Sequence, residues 1–112
     1  MKYMCLIYTD PALTPPMGEK MNEAYFDLNR RLKAAGVMVT GDALQRATTA
    51  TSVRSRGGKV ETMDGPFAET REHLGGYYIL DCPDLDQALH WAAQIPGATY
   101  GTVEVRPLVV FG

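Results

Sequence analysis

Cysteine is nearly absent from this chain: Cys5 and Cys82 are the only two among 112 residues. Two are too few for a disulfide framework, and both fall in apolar, strand-like runs, so they read as reduced, buried small hydrophobes. No CxxC pair or Cys/His ligand spacing points to zinc, and no metal site is expected. An excess of one charge is also missing. Eleven Lys and Arg against 13 Asp and Glu leave a net charge of −2, spread along the chain. There is no basic face to neutralise phosphates and no Lys/Arg cluster to draw the protein to an anionic membrane, so neither nucleic acid nor lipid is an expected partner. Long apolar runs are lacking as well. The stretch from Met1 to Tyr8 is too short for a membrane span and has no small-residue cleavage site, from which a cytoplasmic location is expected. Finally, no nucleophile elbow and no phosphate-cradling glycine loop occurs. Gly75-Gly76 precedes a strand rather than opening a helix, and no cofactor is expected.

What is present is enough for one domain over residues 1–112, long enough to bury about two-thirds of its unfolded surface in a single core. Residues 2–9 are apolar on both alternating sides, the pattern of a central strand covered on two faces. Asp10-Pro11 and Thr14-Pro15-Pro16 break the chain, and Pro just inside a helix start loses only an N–H that had no partner. Ala24, Tyr25, Leu28, Leu32 and Ala35 then recur at steps of three and four, with Gly36 as the helix end. A second strand is predicted over 37–44, with Gly41 marking a bulge or a close backbone approach.

Residues 49–56 and 59–63 form a polar, Thr-rich pair joined by Gly57-Gly58, which suits a tight hairpin turn. A strand over 76–82 follows. Asp84 with Gln87 three residues on reads as a helix cap, and Leu85, Ala88, Leu89, Ala92 and Ile95 mark the buried stripe of a second helix. Pro96-Gly97 stops it, and residues 101–110 supply the last strand. This order predicts an α+β fold, a ferredoxin-like βαββαβ sandwich with an inserted β-hairpin and both helices on one sheet face. The other face carries Tyr and Met side chains and needs a cover. A second copy packed sheet to sheet supplies it, so a homodimer is expected.

The connection from Asp64 to Gly76 concentrates the chemistry: Asp64-Gly65-Pro66-Phe67-Ala68-Glu69, then Thr70-Arg71-Glu72-His73-Leu74-Gly75-Gly76. Asp64-Gly65-Pro66 is first a turn, in which Asp bonds nearby backbone, Gly allows an unusual φ and Pro fixes the next residue. Phe67 then reads as an anchor folded back on the core. The functional reading is that the turn holds the Asp64 carboxylate at a pocket mouth. Glu69 and His73 are four apart, so a helical turn over 68–74 brings carboxylate and imidazole together, a pairing suited to general acid–base work. The alternative is a solvated, charged turn. Asp64, Glu69 and His73 are the candidate catalytic groups. Pro66, Phe67, Thr70, Asp42 and Arg106 are candidate binding residues, with Glu104 and Arg106 projecting together from the last strand.

These residues resemble the signature of the DGPF group of the YCII-related family, whose usual form is DGPFAE(T/S)KE, a two-residue spacer and a Gly-rich strand start. Met1 to Met4, Ala34 to Val37, Ala50 to Arg54, Gly75 to Tyr78 and Val103 to Pro107 are similar to the family as well, so the resemblance spans nearly the whole chain. It implies the dimeric α/β-barrel type of fold. Relatives outside the DGPF group pair a His on the first helix with an Asp near the second strand. This chain has Tyr25 and Asn29 in that region, and only Asp42 offers a strand-two acid. The family commonly has a neutral polar residue at the position of His73. The resemblance also implies two functions. One is a small dimeric enzyme acting without a cofactor on a small metabolite, by isomerase- or lyase-like acid–base chemistry. The other is a ligand-sensing or regulatory partner linked to extracytoplasmic-function sigma factors.

Overall fold

The computed structural model describes residues 1–15, 18–68 and 70–111. Within these, the chain forms β1 (Lys2–Thr9), α1 (Glu19–Ala34), β2 (Met38–Ala43), β3 (Thr51–Arg56), β4 (Lys59–Asp64), β5 (His73–Asp81), α2 (Leu85–Ala92) and β6 (Gly101–Pro107), with short 3-10 turns at Ala47–Thr49 and Pro96–Thr99. One sheet has the order β2-β5-β1-β6 and all its neighbouring pairs are antiparallel; β3 and β4 form a separate two-stranded sheet. This is the α+β, ferredoxin-like arrangement with an inserted hairpin that the element order predicts.

Strand β1 lies between β5 and β6, as its two apolar sides require. Tyr3, Cys5 and Ile7 are buried on the side that meets Leu28 and Leu32 of α1 and Ala88 and Ala92 of α2. Burying Leu28 and Leu32 nearly completely contributes about 1.5–3 kcal/mol each. The helical stripes are narrower than the periodicity predicts. Ala24 and Ala35 of the first stripe are exposed, and Leu85 and Leu89 of the second are each 46% exposed, because α2 turns Ala88, Ala92 and the partly buried Trp91 toward the core. Asp84 caps α2 as expected, its carboxylate accepting from the Gln87 N–H at 2.9 Å. Gly41 is the predicted close approach: a Cβ there would sit 2.6 Å from the Tyr78 ring. That ring is buried beneath α1, where its hydroxyl donates to Asn29 at 2.5 Å.

Two strand boundaries differ from the sequence pattern. Strand β5 starts at His73, three residues before Gly76, because Leu74 and His73 continue the ladder to Tyr8 and Thr9 past a register shift that leaves Gly75 over. Strand β6 stops at Pro107, and Val109, Val110 and Phe111 beyond it are all more than 70% exposed, having no strand to pair with.

On the sheet face away from the helices, Met4, Leu6 and Tyr8 of β1 stand beside Tyr77 and Ile79 of β5, all half-buried. This apolar strip is bordered by Thr40 and Asp42 on β2 and by Thr102, Glu104 and Arg106 on β6. Nothing among the described residues lies across it. The hairpin does not fold back over it either. The Cα atoms span 47 × 43 × 17 Å with a radius of gyration of 15.9 Å, against about 13 Å for a compact chain of this length. The molecule is a thin slab from which β3 and β4 project sideways.

Candidate functional site

Where the hairpin leaves the slab, the chain crosses twice: outward through Leu44 to Ala50 and back through Gly65 to Glu72. The two crossings are tied together. The Leu44 N–H donates to the Gly75 carbonyl at 2.8 Å, the Gly65 N–H to the Ala50 carbonyl at 2.7 Å, and the Ser52 hydroxyl to the Gly65 carbonyl at 3.0 Å. Gly65 has φ +95°, a conformation that side chains rarely adopt, so the Gly of the Asp64-Gly65-Pro66 turn is required by the backbone itself. The outgoing crossing is braced by Thr49, whose N–H and hydroxyl both donate to the Arg46 carbonyl.

Between the crossings lies a cavity of about 420 Å³. Tyr8 and Leu74, cross-strand partners at the end of the open sheet face, form its floor. Gln45, Arg46 and Thr49 line one wall; Pro66, Thr70, Glu72 and His73 line the other. Glu72 is held in place, since the Thr102 hydroxyl of β6 sits 3.1 Å from both of its carboxylate oxygens. The Thr70 hydroxyl donates to the Glu72 carbonyl at 2.6 Å and fixes the bend before β5. One cavity is therefore lined by residues that carry an imidazole, a guanidinium, an oriented carboxylate, a phenol and hydroxyls. Another concavity, of about 400 Å³, lies between the start of α1 and the Pro96–Thr99 turn. Lys20 is its only charged lining group, and it has no carboxylate or imidazole.

The predicted site residues separate. His73, Thr70 and Pro66 line the cavity. Asp64 ends β4 opposite Thr51, exposed, and is not part of the lining, although Pro66 two residues on is. Phe67 is not the buried anchor expected: it is 66% exposed, and the Arg54 guanidinium lies 4.8 Å from its ring centroid. The turn's short-range geometry, fixed by Gly65 and Pro66, points Phe67 toward the hairpin rather than the core. Glu69 lies outside the described residues. The helical turn that would pair it with His73 is not formed, since residues 71 and 72 are bends and His73 already belongs to β5. Asp42 and Arg106 are on the open sheet face, on β2 and β6 at opposite edges of the sheet. Asp42 accepts a 2.7 Å hydrogen bond from the Tyr77 hydroxyl, which pushes the Tyr77 phenol pKa upward. Glu104 and Arg106 form no ion pair with each other; the ion pairs among the described residues join Asp27 to Arg30 and Arg31, and the N-terminus to Asp81.

Sequence reasoning missed Tyr8, Gln45, Arg46, Thr49 and Glu72. The signal available was that residues 44–50 carry polar groups in the connection that leads from β2 into the hairpin.

Among the described residues, no group of three His, Cys, Asp or Glu side chains is placed to hold a metal ion, and no helix is long and apolar enough to cross a membrane. Burial raises the thiol pKa of Cys5 to about 11, and a smaller rise applies to Cys82. Both are free and buried, as the sequence pattern predicts.

A model of the YCII-related domain matches residues 1–112. The chain is 37% identical to an uncharacterised protein of Rhizobium meliloti (strain 1021), in an alignment covering 99% of this chain and 94% of that one. On the match along its full length and on this relative, the chain belongs to the YCII-related family.

Proposed function

We propose that the protein binds a small polar or aromatic metabolite in the cavity at the base of the hairpin and acts on it, without a cofactor, by proton transfer. The observation that carries this reading is the convergence of His73, Arg46, Glu72 and Tyr8 on one cavity of about 420 Å³, within the size range of small-molecule sites. In this reading Arg46 supplies the fixed positive charge for an anionic or carbonyl oxygen of the ligand. His73 is the group that accepts a proton from the ligand or delivers one to it. Glu72, oriented by Thr102, is the second acid–base group, in the role expected of Glu69 from the sequence. Asp64 acts through the turn it closes.

The functional unit is a cytoplasmic homodimer. The dimer's support is the apolar strip of Met4, Leu6, Tyr77 and Ile79, which no element among the described residues covers. Packing two such strips together also brings a second wall toward the cavity floor at Tyr8 and Leu74.

Mass spectrometry of small molecules released on denaturing the purified protein identifies the ligand, and that compound is then titrated back. Replacing Arg46 by Ala or His73 by Gln is expected to weaken binding about ten-fold each, the worth of one charge-assisted hydrogen bond. If both variants bind as wild type, the cavity is not the site. Binding without any change in the recovered compound favours the sensing role over the enzymatic one.

A further inference from the structure

We propose that Asp64-Gly65 is a site of spontaneous backbone modification: when the base of the β3–β4 hairpin opens, the Asp64 carboxyl cyclises onto the Gly65 nitrogen and the link reopens as isoaspartate. Asp64 is the one Asp or Asn of this sequence that Gly follows. The neighbour matters because a side chain on the next residue shields its backbone nitrogen from such an attack, and Gly has none. At Asp10 the next nitrogen belongs to Pro11 and carries no hydrogen to lose. The reactive neighbour cannot be exchanged without strain, since Gly65 has φ +95°. The Asp64 side chain is exposed and lies outside the cavity lining. The reaction needs water alone. The hydrogen of the Gly65 amide and the hydroxyl of the Asp64 carboxyl depart as water while the nitrogen bonds to Cγ, which closes a succinimide ring. Water then adds back across one of the two carbonyl–nitrogen bonds of the ring. Breaking the bond from Cγ restores aspartate. Breaking the bond from the Asp64 main-chain carbonyl carbon leaves the chain running through Cβ and Cγ, with that carbonyl as the free carboxylate. Mass is unchanged, and the main chain is longer by one methylene.

The folded hairpin base opposes ring closure in two ways. The Gly65 N–H is donated to the Ala50 carbonyl at 2.7 Å, which holds the hydrogen that must be lost, and the Ser52 hydroxyl holds the Gly65 carbonyl at 3.0 Å. Asp64 also belongs to β4, paired with Thr51, so its backbone is extended, whereas cyclisation needs its ψ to swing until the nitrogen meets Cγ. Both constraints are lost in one event, the parting of the two crossings. That event is local: of the twelve hairpin residues only Ser52 is even half-buried, and a two-stranded hairpin on its own is marginal in water. The population of the opened base therefore sets the rate. The product does not close again as before, because the added methylene displaces Gly65 from Ala50 and Ser52. Ala50 and Pro66 both line the cavity, so the modified chain loses the geometry of its wall.

The test is peptide mapping of the full chain after incubation near neutral pH, once folded and once in urea sufficient to unfold it. Isoaspartate is counted by enzymatic methyl transfer to its carboxylate and located as a product of unchanged mass and altered retention in the peptide that holds residue 64. A synthetic peptide of residues 60–68, with and without urea, corrects for the solvent. The expected result is isoaspartate at residue 64 in the unfolded chain, formed at least ~10-fold faster than in the folded chain, the ratio being fixed by the open population. Ser52→Ala, with wild-type circular dichroism, is expected to raise the folded-state rate. Asp64→Glu, which would have to close a larger ring, is expected to give no such product. Equal corrected rates in the folded and unfolded chains, or no isoaspartate at residue 64 in urea, overturns the proposal, and both readings need no variant. A Ser52→Ala chain that reacts at the wild-type folded rate overturns the assignment of the restraint to the hairpin base.

Discussion

Tyr78 shows how closely single residues are matched in this protein. Its ring fills the space that a side chain on Gly41 would need, and its hydroxyl is satisfied by Asn29 across the helix–sheet interface. Gly41→Ala is expected to lower stability by about 1–3 kcal/mol through overpacking. In urea unfolding the loss should shrink in combination with Tyr78→Leu, since the two changes share one space. Gly65→Ala acts by a different route, because it forces a side chain onto φ +95° with open space around it. A loss of about 1–3 kcal/mol is expected from backbone strain alone, and no partner substitution should recover it. Cys5 is the residue-scale test of burial. Burial pushes its folded pKa up to about 11 from an ordinary thiol value of 9.0, so the unfolded chain gives up the proton first. Stability is therefore full below about pH 9 and falls as pH rises toward 11, at up to about 1.4 kcal/mol per unit from this group. Urea midpoints at pH 8 and pH 10 measure the drop, which should be smaller in Cys5→Ala.

Among the elements, α2 is the one most dependent on its N-cap residue. It is eight residues long, too short to persist without tertiary support, and Asp84 satisfies one of its free N–H groups. Asp84→Ala is expected to lower stability by about 1 kcal/mol, with Asp84→Ser nearly neutral; thermal unfolding of the two variants distinguishes a lost cap from a lost charge. The element order, the two helical faces, the Gly57-Gly58 hairpin and this cap were legible in the sequence because each is fixed by neighbours within a few residues. Strand β5 was misread at its start because its first two pairs depend on Tyr8 and Thr9, which are more than 60 positions away along the chain. The helical turn that would pair Glu69 with His73 is not taken up by the described residues 71–73 for the same reason: His73 makes ladder bonds to β1 instead.

At the scale of the whole molecule, a thin slab with one open apolar face and a projecting hairpin suits the association proposed above. If two copies join as proposed, the melting temperature should rise with protein concentration, as it does for any folded state that associates while the unfolded state does not. A melting temperature unchanged across a wide dilution series would count against association. The candidate site depends on the same scale. Tyr8 comes from the first strand, Arg46 from the outgoing crossing and His73 from the returning one, so the cavity exists only once β1 and β5 have paired and the hairpin has closed.

The sequence by itself determined the family, the ferredoxin-like order of elements, the buried free cysteines and the turn at Gly65, since patterning, turn chemistry and a shared motif act over short spans. Only the tertiary structure decided which motif residues face a cavity. Asp64 and Phe67 look like the centre of the motif, yet the turn directs them outward, while Thr70 and His73 line the cavity together with Arg46. Side-chain direction at a chain crossing is set by strand register and by the partner crossing, and neither is encoded within the motif itself.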